Sequence, residues 1–78
     1  MNQDNQNPEQ IMKLAIAAEL GKSGIRTGTD IVALFDIQEK LEGLLEKRES
    51  FSIDFRNFVV RNKNRIDRLI IARLANKA

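Results

Sequence analysis

Three arginines in the last third of the chain have the spacing needed to bind an anion together. Arg61, Arg65 and Arg68 recur at helical intervals, so a helix over this stretch places all three on one side. Guanidinium groups bind phosphates and carboxylates through paired hydrogen bonds. We therefore predict that this side of the helix binds an acidic protein surface or a nucleic acid. The predicted binding residues are Asn57, Arg61, Lys63, Asn64, Arg65 and Arg68.

A purely structural interpretation of the same arginines stays open. They would then be solvated, or would pair with an acidic strip on the preceding helix, formed by Glu39, Glu42 and Glu46. Nucleic acid is the second choice of ligand, because the net charge is only +2 and there is no Trp or Tyr to stack on bases. The main prediction is a small regulatory or adaptor protein that binds other proteins, with an RNA- or DNA-binding regulator as the alternative.

Residues suited to catalysis are scarce. The chain has no histidine and no cysteine, which removes the commonest general base, nucleophiles and zinc ligands. Glu42 and Glu46 are four residues apart, the spacing of solvated neighbours on one helix surface. We predict a non-enzymatic protein that uses no cofactor and no metal.

Two nucleotide-binding or DNA-binding motifs have partial support only. Gly21, Lys22 and Ser23 invite comparison with a P-loop, but that motif needs a glycine where this chain has Ile16. A weaker version keeps Lys22 and Arg26 as ligands of one phosphate at the start of the next helix. A helix-turn-helix is disfavoured because the polar connection 22–29 is too long and flexible to fix a recognition helix.

The length and charge distribution indicate one small domain with a basic C-terminal part. Residues 1–50 carry a net charge of −3, whereas residues 51–78 carry +5. The polar start has no secretory signal pattern, and no apolar run approaches the ~20 residues of a membrane span. We expect a cytoplasmic protein that does not enter a membrane.

The pattern of apolar residues and helix caps predicts three helices after a disordered tail over residues 1–7. The first helix starts at Pro8, after Asn7 as its cap, and ends at a left-handed Gly21. The second runs over about 28–48 and is entered through a capping box at Thr27. The third runs over about 52–75, capped by Ser50 or Ser52.

The predicted fold is all-α. It is a single domain over residues 8–78, with a short first helix and a long antiparallel hairpin of the other two helices. The predicted core is Ile11, Leu14, Ile16, Leu34, Leu41, Leu45, Phe55, Phe58, Val59, Ile66, Leu69 and Ile70.

Apolar residues left over on the first and third helices predict self-association, most simply as a two-fold dimer. The predicted self-association residues are Met12, Ile16, Leu20, Val60, Ile71 and Arg73. Gly43, inside the second helix, could mark a close helix crossing.

Overall fold

The computed structural model describes residues 8–47 and 51–76, which form four helices and, within those residues, no strand. The helices are α1 (Pro8–Leu20), α2 (Ser23–Arg26), α3 (Ile31–Glu46) and α4 (Ile53–Ala75). The all-α class is confirmed, and the number of helices is four rather than three. The tail assigned to residues 1–7, with its capping residue Asn7, lies outside the described residues.

The starts of α3 and α4 follow from side chains that bind the free backbone N–H groups of a first turn. Of the two predicted candidates, Ser50 and Ser52, the cap of α4 is Ser52, because its Oγ accepts the N–H of Phe55 at 3.2 Å. The cap of α3 is Asp30, whose Oδ1 accepts the N–H of Ala33 at 3.0 Å. Thr27 is therefore not the cap; its hydroxyl donates to the carbonyl of Ser23 at 2.8 Å.

The connection that we predicted to be flexible contains the short helix α2. Its Ile25 is only 3% exposed, so this segment is anchored in the core. The N–H groups of Thr29 and Asp30 both donate to the carbonyl of Gly24, at 2.9 and 3.1 Å. These contacts convert a polar, glycine-containing stretch into an ordered corner.

The left-handed glycine is not the one that we predicted. Among the described residues only Gly28 has a positive φ, 72°, and its Cα faces the side chain of Leu69. The prediction for Gly21 is wrong: α1 ends because the backbone of Lys22 becomes extended, with φ −67° and ψ 141°.

The core lies between α3 and α4 and is completed by one side of α1 and by α2. Its fully buried members are Leu34, Leu41, Phe55, Val59 and Ile66, all predicted. The prediction is wrong for Ile11 and Leu14, which are 52% and 63% exposed. The remaining buried residues are Ile16, Leu20, Ile25, Ile37 and Ile70; Leu45, Phe58 and Leu69 are partly buried.

The orientation of α1 explains why its other stripe is buried. At the start of α1, the Glu9 carboxylate accepts hydrogen bonds from the backbone N–H and the hydroxyl of Ser52. One turn later, the ammonium of Lys13 lies 5.5 Å from the centre of the Phe58 ring. Residues 9, 13, 16 and 20 share a side of a helix, so these contacts turn Ile16 and Leu20 inward.

Two contacts set the register of α3 against α4. The Gln38 amide donates to Asp67 at 2.8 Å, and Glu42, one turn later in α3, lies 3.8 Å from Lys63, one turn earlier in α4. Moving forward along α3 thus corresponds to moving backward along α4, so the two helices are antiparallel. Within residues 8–47 and 51–76, every helix is too short or too polar to span a bilayer.

Candidate interaction surfaces

The basic side of α4 carries three exposed arginines that make no ion pair within the described part of the chain. No carboxylate there lies within 4.0 Å of Arg61, Arg65 or Arg68. The acidic strip of α3 therefore does not neutralise them, and the structural interpretation keeps only its other form, in which the arginines are solvated. Asn57 and Asn64 are exposed as well. These five residues keep their full hydrogen-bonding capacity for solvent or a partner.

Lys63 differs from the arginines because it belongs to a polar network between α3 and α4. Its ammonium lies 2.8 Å from Asp67 and 3.8 Å from Glu42, and Gln38 donates to the other oxygen of Asp67. The bond to Lys63 lowers the pKa of Asp67 and the same bond raises the pKa of Lys63. Lys63 therefore stabilises the packing of α3 against α4. Its spacing of four residues from Asp67 could have indicated the pair with that carboxylate.

Asn62, a half-buried polar residue of α4, makes a hydrogen bond inside its own helix. Its amide donates to the carbonyl of Phe58 at 2.8 Å. Arg73, a predicted self-association residue of the same helix, is exposed. It follows Ile70, the last buried residue of α4, so the helix has left the core by that point.

A shallow depression of about 370 Å³ lies where α1 and α2 meet α4. It is lined by Ala17, Leu20, Gly21, Arg26, Phe58, Asn62 and Arg65. Arg26 and Arg65 are both exposed, and no acidic residue lines the depression. The fold thus brings two arginines from distant parts of the sequence to one concave surface.

The weaker phosphate hypothesis for Lys22 is not supported by the geometry. The Lys22 ammonium lies 3.5 Å from the carboxylate of Glu19. The start of α3 is already occupied by the Asp30 carboxylate, whose negative charge repels a phosphate. Arg26, the other residue of that hypothesis, lines the depression between α1, α2 and α4 instead.

An open apolar groove of about 450 Å³ separates α1 from α3. Its lining is Met12, Ala15, Ile16, Glu19, Ile37, Lys40, Leu41, Gly43, Leu44 and Lys47. Apart from its own stretch of helix, no described residue has an atom within 4 Å of the place where a side chain on Gly43 would begin. The close helix crossing proposed for Gly43 is therefore not made within the described chain.

The predicted self-association residues fall on three different surfaces. Met12 and Ile16 line the groove, although Ile16 is 8% exposed and reaches its floor only. Leu20 is equally buried and lines the depression instead. Val60 and Ile71 are exposed on α4. The exposed apolar row of α1 is Ile11 and Leu14, which we had placed in the core.

The contact between Glu9 and Ser52 fastens the start of α1 to the start of α4. The Ser52 N–H and hydroxyl donate to the two carboxylate oxygens at 2.8 and 2.7 Å, while the same hydroxyl accepts from Phe55. The backbone N–H of Ser52, and then its hydroxyl, hold the pKa of Glu9 below its ordinary value of 4.5. The negative charge also lies at the positive end of α4.

We expect this contact to make stability depend on pH. A carboxylate with a lowered pKa stabilises the fold above its unfolded pKa, and the contribution is lost as pH falls through the lower, folded pKa. The difference in unfolding free energy between wild type and Glu9→Gln should therefore shrink as pH falls from neutral to about 3. Urea unfolding followed by circular dichroism measures this free-energy difference at each pH. Glu39→Gln is the control, because Glu39 is an exposed glutamate of α3. A difference that stays constant over this range would contradict the assignment.

No protein-family model, curated protein or solved structure matches this chain, so the surfaces described above are the basis on which its function can be proposed.

Proposed function

We propose that the chain is a non-enzymatic, cytoplasmic regulatory or adaptor protein that self-associates and binds other proteins. The observation that supports this most is the apolar groove between α1 and α3, which borders exposed apolar residues of α1. Ile11, Leu14, Ala15 and Ala18 share one side of α1, and Ala15 also lines the groove. This row of four residues forms an apolar ridge that adjoins the groove on one surface. Contiguous apolar surface of this kind is typical of association sites.

The occupant of the groove that we propose is a second copy of the chain. In a two-fold dimer the same patch is used by both copies, so it must be complementary to itself. The row containing Leu14 in each copy would lie in the other copy's groove. Glu19 of the α1 wall pairs with Lys22 at 3.5 Å, and Lys40 of the α3 wall pairs with Asp36 at 3.3 Å, so most of the charge beside the groove is already paired within each copy. Burial of apolar surface from the row of Leu14 would therefore be the main force for association.

Replacing Leu14, at the centre of this ridge, tests self-association. We expect wild type to sediment as a dimer and Leu14→Lys to weaken dimerisation by about tenfold or more, because a lysine charge would be buried in an apolar groove. Leu14 is 63% exposed in one chain, so the variant should stay folded by circular dichroism. Val32→Lys, at 74% exposure outside the groove lining, is the matched control and should dimerise normally.

Gly43→Ala gives a second, independent measure of the same interface. In the Leu14→Lys background, alanine should raise the unfolding free energy by about 0.5–1 kcal/mol, because glycine weakens a helix interior. In the wild-type background the same change should weaken dimerisation, because the added methyl group would occupy the groove. A monomeric wild type at high concentration, or a dimer indifferent to both changes, would end the proposal.

The alternative function is an RNA- or DNA-binding regulator. It is favoured because, among the described residues, no carboxylate pairs with Arg61, Arg65 or Arg68. Electrophoretic shift assays with mixed nucleic acid at two salt concentrations test it. If phosphate contacts dominate, affinity falls steeply with salt and the double variant Arg61→Glu, Arg65→Glu abolishes the shift. If a protein surface is the target, Ile71→Ser and Val60→Ser should reduce binding more than salt does.

A further inference from the structure

We infer that the depression between α1, α2 and α4 is a binding site for a phosphate group, held by Arg26 and Arg65. This site is separate from the groove and does not depend on self-association. It joins an arginine of α2 to an arginine of α4, thirty-nine residues apart in the chain.

Charge is the first argument for an anionic ligand. Arg26 and Arg65 put two positive charges on the lining of one surface, and no carboxylate of the described residues lies within 4.0 Å of either. Glu19, near the end of α1, pairs instead with Lys22 at 3.5 Å. An anion bound in the depression compensates these charges, and a concave surface of one sign attracts such an ion.

The position of Arg26 is set by the fold, which is the second argument. Its neighbour Ile25 is 3% exposed, and the segment is closed by the bonds from Thr29 and Asp30 to the Gly24 carbonyl. Arg65 follows Asn62 by three residues on a long helix whose Ile66 is fully buried. Both Cα positions are therefore held by buried neighbours, although the guanidinium groups themselves are exposed.

The remaining lining suits a phosphate more than a bulky ligand. Ala17, Leu20 and Phe58 form apolar walls, which strengthen an ionic contact by reducing solvation nearby. The Asn62 amide uses one N–H on the Phe58 carbonyl and has a second N–H to donate. A guanidinium binds two oxygens of a tetrahedral phosphate at once, so two arginines and one amide can serve most of its acceptors.

Titration of the isotopically labelled full chain with inorganic phosphate, followed by NMR, tests the site. We expect saturable shifts of the Arg26 and Arg65 side-chain N–H resonances, with a dissociation constant on the order of millimolar. Sodium chloride at equal ionic strength is the control for screening. Arg26→Gln and Arg65→Gln should each weaken binding by about fivefold to tenfold, and lysine at either position less, because it keeps the charge but loses the paired geometry.

Arg61→Gln and Arg68→Gln are the matched control, because both arginines are exposed on α4 but absent from the lining of the depression. With inorganic phosphate they should change affinity by less than about twofold. A single-stranded oligonucleotide distinguishes the two sources of phosphate: if it binds more tightly than phosphate and also needs Arg61 and Arg68, the source is a nucleic-acid backbone. Equal or weaker binding of the oligonucleotide assigns the site to a free phosphate or a small phosphorylated molecule.

Three results would overturn the inference. The first is the absence of saturable shifts at Arg26 and Arg65, and the second is equal loss of phosphate binding in the control pair. The third is tighter binding of a glutamate-rich peptide than of phosphate at the same resonances, which would make the ligand a carboxylate. Dimerisation measured in parallel is unaffected by any of these results, so the site and the proposed interface can fail separately.

Discussion

Phe55→Ala should lower the free energy of unfolding more than any other single truncation considered for this protein. Phe55 is the largest fully buried side chain of the described residues, at 0% exposure. The centre of its ring lies 4.7 Å from the centre of the Phe51 ring and 6.4 Å from that of Phe58. Truncating a buried phenylalanine costs about 3–5 kcal/mol, because apolar burial is lost and a cavity remains. A chain of this length typically has an unfolding free energy of about 4–12 kcal/mol, so the loss is a large fraction of the total.

Urea unfolding followed by far-ultraviolet circular dichroism measures this effect. Ile53→Ala is the control, because Ile53 belongs to the same first turn of α4 but is 75% exposed. That variant should lie within about 0.5 kcal/mol of wild type. Similar losses in the two variants would mean that the aromatic cluster around Phe55 is not the centre of the core.

Ile25→Ala should have the second largest effect and should act first on α2. Ile25 is the buried residue of that short helix, and removing a buried isoleucine to alanine costs about 2–5 kcal/mol. A four-residue helix cannot hold its conformation by backbone hydrogen bonds alone, because forming the first turn is unfavourable. Without its anchor, the corner between α1 and α3 should open before the remaining helices unfold.

Amide hydrogen exchange separates this local opening from global unfolding. The N–H groups of Thr29 and Asp30, bonded to the Gly24 carbonyl, should exchange faster in Ile25→Ala by a larger factor than those in the middle of α4. Val32→Ala, on an exposed position of α3, should leave both groups unchanged. Uniform acceleration over the whole chain would show that α2 and α4 open as one unit. Loss of phosphate binding should accompany the local opening, since Arg26 depends on the same anchor.

The features predicted well are those that local sequence controls. Ser52 was one of two predicted caps, because a serine before an amphipathic run can bind a free N–H without help from the rest of the fold. The buried face of α4, with Phe55, Val59 and Ile66, was predicted because these residues alternate with charged ones at a strict helical period. The same reasoning placed Arg61, Arg65 and Arg68 on the outer side.

The errors occurred where the local pattern allowed two answers. α1 is apolar on two sides, and its burial of Leu20 rather than Leu14 depends on Glu9 reaching Ser52, forty-three residues away in the chain. Likewise, Thr27 and Asp30 are both good capping residues. The choice of Asp30 follows from the turn at Gly28, whose positive φ ends the α2 corner.

The amino-acid sequence by itself determined the helical class, the limits of α1 and α4 and the exposed arginine row, because each depends on residues a few positions apart. Tertiary structure alone decided which side of α1 is buried, that Lys63 and Asp67 of α4 join Gln38 and Glu42 of α3, and that Arg26 and Arg65 line one depression. Those outcomes need contacts between residues far apart in the chain, whose geometry depends on how whole helices pack. No helical period encodes them, and for that reason the two concave surfaces emerge only in the folded chain.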